Sequence, residues 1–108
     1  MNKDTLIGKI AEAYPGFDEQ DGVFEIELHR DFDGPISISH IMVWGSDGNA
    51  LKGKIDTTSD ELIDLIIEVV DEAGALKWGT VETDILLSYE EDLISVHTKF
   101  TAEIWGEL

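Results

Sequence analysis

The side chains in this 108-residue chain that could bind a metal or transfer a proton are mainly three histidines and 24 carboxylates. The chain contains no cysteine. His29, His40 and His97 lie on three different predicted strands, without the HxH or HExxH spacing of metal sites. This spacing favours solvated or hydrogen-bonded structural histidines. Disulfides, thiolate nucleophiles and thiolate metal sites are excluded. We therefore expect no metal and no other cofactor.

Two acidic turns, DFDG at 31–34 and DGN at 47–49, resemble fragments of calcium loops. An EF-hand also needs glycine at its sixth position and a bidentate glutamate at its twelfth, so ordinary turn chemistry explains both. The sequence has no GxSxG or Walker motif and no histidine-centred nucleophile arrangement. Most carboxylates fall on predicted solvent faces, where water keeps their pKa values ordinary. These observations favour a protein that is not an enzyme.

The net charge of −17, from 24 acidic and 7 basic side chains, restricts the possible partners. A nucleic acid is disfavoured, because lysine and arginine side chains bind phosphate backbones by displacing counterions. A basic protein is the natural partner, since opposite fields accelerate encounter. No apolar run approaches the roughly 20 residues of a membrane span, and the start of the chain lacks the apolar core of a signal peptide. We expect a cytoplasmic protein that does not bind membranes.

The elements that must position these side chains follow from hydrophobic periodicity. Apolar spacing predicts a helix over Asp4–Tyr14, with Asp4 or Thr5 as its N-cap. Strict alternation predicts a strand at 23–29, whereas the alternation over 36–44 changes phase, which indicates either two covered faces or a β-bulge. Asp47-Gly48 predicts a hairpin turn into a short third strand at 51–55.

The second half of the chain contains the clearest helix and the clearest strand. A capping box starting at Thr58, with Glu61 as its acidic member, and a terminal Gly74 bound a helix whose apolar and acidic faces separate cleanly. Two strands follow, over 80–88 and 93–105. The predicted fold is a single α+β domain over 1–108: helix, three-strand antiparallel meander, helix and two-strand hairpin, with both helices packed on one face of the sheet.

The candidate binding residues lie mainly on the other, outward face of that sheet, where grouped carboxylates should repel. That face is either solvated with scattered ion pairs or an acidic plate for a basic partner. Trp105 is either a binding anchor or a cap on the core edge. The candidates are Glu25, Glu27, Glu82, Asp84, Glu90, Glu91, Asp92, Glu103 and Trp105, with the helical Asp64, Glu68 and Asp71 as second choice.

The order of elements is similar to that of the YezG-type family of bacterial toxin immunity proteins. The resemblance depends on LIGKIAEAYP, the helix DELIDLIIEVVDEAG, Trp78 and the closing hairpin DILLSYEEDLISVHTKF. It implies a cytoplasmic antitoxin that binds and neutralises a cognate toxin, often a nuclease. The leading hypothesis is thus an immunity protein that occludes a basic toxin. The alternatives are a nucleic-acid mimic that inhibits a DNA-binding protein and, from another class, a small enzyme or metal-binding domain.

Overall fold

The computed structural model describes residues 2–31, 34–74 and 82–100, which form two helices and a four-stranded antiparallel sheet. The predicted α+β class is confirmed. The strand order across the sheet is β2-β1-β3-β4, so β1 and β3 are central. The elements are α1 (Asn2–Ala13), β1 (Val23–Asp31), β2 (Ser37–Trp44), α2 (Asp60–Glu72), β3 (Glu82–Glu90) and β4 (Leu93–Phe100).

The core lies on one face of the sheet because the central strands alternate between buried and half-exposed residues over 23–28 and 82–89. Tertiary burial of the apolar phase therefore fixes the strand register. The buried side chains of both helices belong to the same cluster as those of the sheet. The buried members are Leu6, Ile7, Ile10, Tyr14, Phe24, Ile26, Leu28, Val43, Leu62, Leu65, Ile66, Val69, Val70, Ile85, Leu87 and Tyr89.

The phase change in β2 is a β-bulge. Glu27 of β1 pairs with His40, whereas the next residue, Leu28, pairs with Ile38, so Ser39 is the extra residue. A bulge places two residues of one strand opposite one of its partner and thereby shifts the alternation. Of the two explanations that the sequence left open, the structure shows the bulge.

The predicted third strand at 51–55 does not form, and the three-strand meander is wrong. Pairing after β2 stops at an isolated bridge between Trp44 and Ala50. The chain then turns to α1, where the Lys54 amide donates to the Ala13 carbonyl at 3.1 Å. A side chain at Gly53 would collide with the Tyr14 ring, so the backbone packs closely against the end of α1. Capping that helix end therefore replaces strand pairing.

The helix starts also differ from the predicted ones. α1 begins at Asn2, so neither Asp4 nor Thr5 is its N-cap. α2 is capped by Ser59, whose hydroxyl accepts from the Leu62 amide at 3.3 Å. The capping box at Thr58 is wrong, because that hydroxyl donates to Asp56 Oδ1 at 2.5 Å.

Gly74 follows α2 with φ of +76°, the left-handed conformation that the sequence predicts past the helix end. Trp78, Glu103 and Trp105 lie outside the described residues, as do all of 75–81 and the end of the last predicted strand. Among the residues that the structure describes, no helix is long and apolar enough to cross a membrane.

Candidate partner-binding surfaces

The outer face of the sheet, opposite the core, carries four of the predicted binding carboxylates. Glu25 and Glu27 of β1 and Glu82 and Asp84 of β3 all occupy the half-exposed phase of their strands. The register pairs none of these four with another of them, since Glu25 pairs with Ser88, Glu27 with Leu86 and Asp84 with His29, while Glu82 pairs with Asp31. The predicted grouping on one face thus occurs, but without most of the direct repulsion.

Histidines interleave with these carboxylates. His29 Nδ1 lies 2.6 Å from Asp84 Oδ1, and His29 Nε2 lies 3.1 Å from Asp31 Oδ1. The hydrogen bond to Asp84 is the main cause that raises the pKa of His29 above its ordinary value. His40 Nδ1 lies 3.7 Å from Glu27 Oε1 on the neighbouring strand. The outer face is therefore less uniformly acidic than the sequence suggests.

Two large apolar side chains are also exposed on this sheet. Met42, opposite Glu25, is 43% exposed, and Leu93, opposite Glu90, is 71% exposed. Both occupy the phase that points away from the core. An apolar contact surrounded by polar side chains is typical of protein interfaces.

A second region, which we call the acidic groove, lies at the β3–β4 turn. It has a volume of about 640 Å³ and is formed by α1, the loop at 18–21 and the turn. Two of the predicted binding residues, Glu91 and Asp92, are in it, with Glu90 at the adjacent strand end. The lining residues are Asp4, Ile7, Glu19, Gln20, Tyr89, Glu91 and Asp92.

Tyr89 connects the segments that form the groove. Its side chain is 1% exposed and stacks on Phe24 with ring centroids 5.0 Å apart, and its ring centroid lies 6.3 Å from that of Phe17. Its hydroxyl donates to the backbone carbonyl of Glu19. The loop is stiffened further by the Asp18 carboxylate, which accepts from the Gln20 amide at 2.8 Å. A buried aromatic ring thereby fixes an exposed acidic loop beside the turn.

The turn itself has an unusual backbone. Glu91 and Asp92 have φ of 50° and 64°, and they link Glu90 to Leu93, which pair directly. Two central residues with positive φ are typical of a type I′ hairpin, which asparagine and glycine favour. Lys3 of α1 supports the turn, because its Nζ lies 2.6 Å from the Asp92 carbonyl oxygen and 3.3 Å from its carboxylate.

The field of the groove acts on Tyr89. Burial is the largest cause that raises the pKa of its hydroxyl, and the negative charges of nearby carboxylates add to it. Those carboxylates come from three separate segments: the turn, the loop at 18–21 and α1. In the order of their effect they are Asp92, Glu19, Asp18 and Asp4.

Sequence reasoning missed Asp4 and Glu19 as members of this region. The acidic loop at 18–21 is visible in the sequence, but only the Tyr89–Glu19 hydrogen bond shows that it meets the turn. The second-choice residues, Asp64, Glu68 and Asp71, are exposed on α2 as predicted. Glu103 and Trp105 cannot be placed, since they lie outside the described residues.

Comparisons with protein-family models, curated proteins and solved structures find no match for this chain. The resemblance to immunity proteins therefore stays a prediction. The residues that the structure describes define an α+β domain with two acidic surfaces.

Proposed function

We propose that this protein is a cytoplasmic binding protein that neutralises a basic partner, a cognate toxin of the nuclease class, by covering the cleft in which that toxin holds phosphate. The acidic groove is the observation that carries the proposal. A nuclease cleft must be basic to hold its substrate, so a preformed acidic surface can occupy it and offers no bond to cleave. The proposal assigns no catalytic step to this chain.

The groove suits basic side chains in both charge and size. Asp4, Glu19 and Glu91 are exposed and stand on three segments, so their oxygens surround a cationic group instead of meeting it from one side. Arginine and lysine bind carboxylates through charge-assisted hydrogen bonds. The hydrogen bond from Tyr89 to the Glu19 carbonyl and the contact of Lys3 with Asp92 hold the backbone of the loop and the turn in place, which lowers the ordering cost of binding.

The outer face of the sheet serves as a second contact region. In this proposal both helices cover the opposite face, so the outer face remains available to the partner. Met42 and Leu93 would supply apolar contact there, and Glu25 would add charge. Charge at the groove governs mainly the association rate, whereas desolvated apolar contact governs dissociation.

The test is capture of partners from the source cells on immobilised protein, followed by assay of the captured protein. We expect a basic protein with nuclease activity that an equimolar amount of this chain inhibits. Glu19→Gln with Glu91→Gln should slow association at least tenfold at low salt. Glu12→Gln with Glu61→Gln, both exposed and outside the groove, is the matched control, because it removes the same charge and should have a much smaller effect.

Two outcomes would contradict the proposal: an inhibited partner that is acidic, or equal slowing by the groove and control variants. A captured DNA-binding protein that duplex DNA competes away, and that has no toxic activity, would instead favour the nucleic-acid mimic. Retained binding without inhibition would show that the protein covers a surface remote from the active cleft.

A further inference from the structure

A mixed histidine and carboxylate cluster lies at one end of the outer face, away from the acidic groove. His29 and Asp31 belong to β1. Glu82 belongs to β3 and pairs with Asp31. One ligand atom from each of these three residues lies within 4.8 Å of the other two. Their spacing along the chain gave no indication of a site, because strand pairing brings together residues that are more than 50 positions apart.

The imidazole of His29 is already oriented for a ligand on one nitrogen. Its Nδ1 lies 2.6 Å from Asp84 Oδ1, which leaves Nε2 directed at Asp31 Oδ1, 3.1 Å away. Metal-bound histidines usually donate their other ring N–H to a carboxylate, which fixes the tautomer and raises the basicity of the ligand nitrogen. Asp84 stands in that position.

Charge also favours a cation at this place. Asp31, Glu82 and Asp84 contribute three carboxylates, and one imidazolium balances only one of them. The register partner of Asp84 is Lys99, an exposed side chain that adds one further positive charge, so the cluster still has an excess of negative charge. A divalent ion between His29, Asp31 and Glu82 would offset the remaining charge, and it would replace the proton on Nε2.

The donor set selects the kind of ion. One imidazole nitrogen and two carboxylate oxygens suit borderline transition metals, whereas calcium and magnesium prefer oxygen ligands alone. Three protein ligands with water in a fourth position form a common zinc arrangement. We propose that His29 Nε2, Asp31 and Glu82 bind one Zn²⁺ ion, with Asp84 positioning the imidazole. This inference is independent of the proposed toxin partner.

Isothermal titration calorimetry of the full chain with ZnCl₂, at pH 7.5 and 150 mM NaCl, tests the site. We expect saturable binding of one ion per chain that equimolar MgCl₂ does not displace. His29→Gln should abolish it, and Asp84→Asn should weaken it about 10- to 100-fold, as for other residues that support metal ligands. His40→Gln and Glu27→Gln are the matched controls, since they alter the other histidine–carboxylate pair of the outer face and should keep wild-type affinity.

Ring ¹⁵N chemical shifts give a readout that does not require a variant. On adding Zn²⁺, Nε2 of His29 should change its shift while Nδ1 stays protonated, and circular dichroism should show that each variant is folded. If His29→Gln fails to fold, Asp31→Asn and Glu82→Gln should each weaken binding at least tenfold. Uptake that does not saturate, or an equal loss in His40→Gln and His29→Gln, would overturn the proposal.

Discussion

The outer face and the acidic groove are both rich in carboxylates, but the fold treats their charges differently. On the outer face, strand register sets Asp84 beside His29 and Glu27 beside His40. In the groove, burial raises the pKa of Tyr89, and carboxylates that gather around it from three segments raise this pKa further. The number of acidic residues in a stretch therefore does not determine its local field. The field depends on which residues the register or a tertiary contact places opposite them.

Both regions depend on the same core, so a substitution that unfolds the core should have the largest effect and should abolish both surfaces. Ile66 is 0% exposed on α2, and Ile66→Asp would bury an unpaired carboxylate. We expect loss of folding, since the cost exceeds about 4 kcal/mol, a large part of the stability of a small domain. Far-UV circular dichroism and urea titration measure it. Glu68→Ala, on the exposed side of α2, should unfold cooperatively near the wild-type midpoint.

The core and the outer-face acids were predictable because they follow from local alternation. Phe24, Ile26 and Leu28 are buried as predicted, and Glu25 and Glu27 lie on the other face. Period-two patterning contains that information directly. The segment 51–55 has the same alternation over a few residues but forms no strand. The Lys54 amide instead donates a hydrogen bond to the end of α1, and such a tertiary contact cannot be read from the periodicity of the sequence.

The groove and the histidine cluster were beyond sequence reasoning for a related reason. Each is assembled from segments distant in the chain, and single-sequence periodicity assigns a side chain to a face but not to a partner. Glu19 meets Tyr89 across 70 positions, and His29 meets Asp84 across 55. The hairpin acids Glu91 and Asp92 were identified as exposed candidates, but the contact of Asp92 with Lys3 was not.

The turn of the groove offers the next largest effect. Glu91 and Asp92 occupy positive φ, which is unfavourable for residues with a Cβ. Glu91→Asn with Asp92→Gly should raise the free energy of unfolding by about 1 kcal/mol, because this pair adopts the turn more readily and carries less charge. Urea unfolding at fixed pH measures the change. Glu90→Asn, within β3, is the control, and an equal gain there would argue against backbone strain as the cause.

Uncompensated charge in the groove should produce a smaller, salt-dependent effect. Asp4→Asn, Glu19→Gln and Glu91→Gln together should stabilise the fold by about 0.5 kcal/mol at low salt, and this gain should shrink at 0.5 M NaCl. The matched outer-face triple, Glu25→Gln, Glu27→Gln and Asp84→Asn, removes the same charge but also removes the histidine contacts. It should give no gain, and equal stabilisation by the two triples would remove the distinction between the regions.

The smallest expected effects are changes in the pH dependence of the free energy of unfolding. The two regions should contribute to it in different pH ranges. The folded-state pKa of His29 is raised, chiefly by Asp84, so its stabilising contribution is complete below the unfolded pKa of about 6.5 and is lost as pH rises through the folded value. The free-energy difference between wild type and His29→Gln should therefore decrease from pH 5.5 to pH 8.5. Urea titrations across that range measure it.

Tyr89 provides the corresponding test for the groove. Its folded-state pKa is raised, mainly by burial, so above the unfolded value near 10 the unfolded chain loses this proton first and stability falls. Tyr89→Phe should start from a lower stability at neutral pH, through loss of the hydrogen bond to the Glu19 carbonyl, and the informative quantity is the slope above that pH. Its stability should then decline less steeply than wild type above pH 10, although Tyr14, whose pKa burial also raises, still titrates in both proteins. Parallel alkaline declines would show that the fold does not raise the pKa of Tyr89.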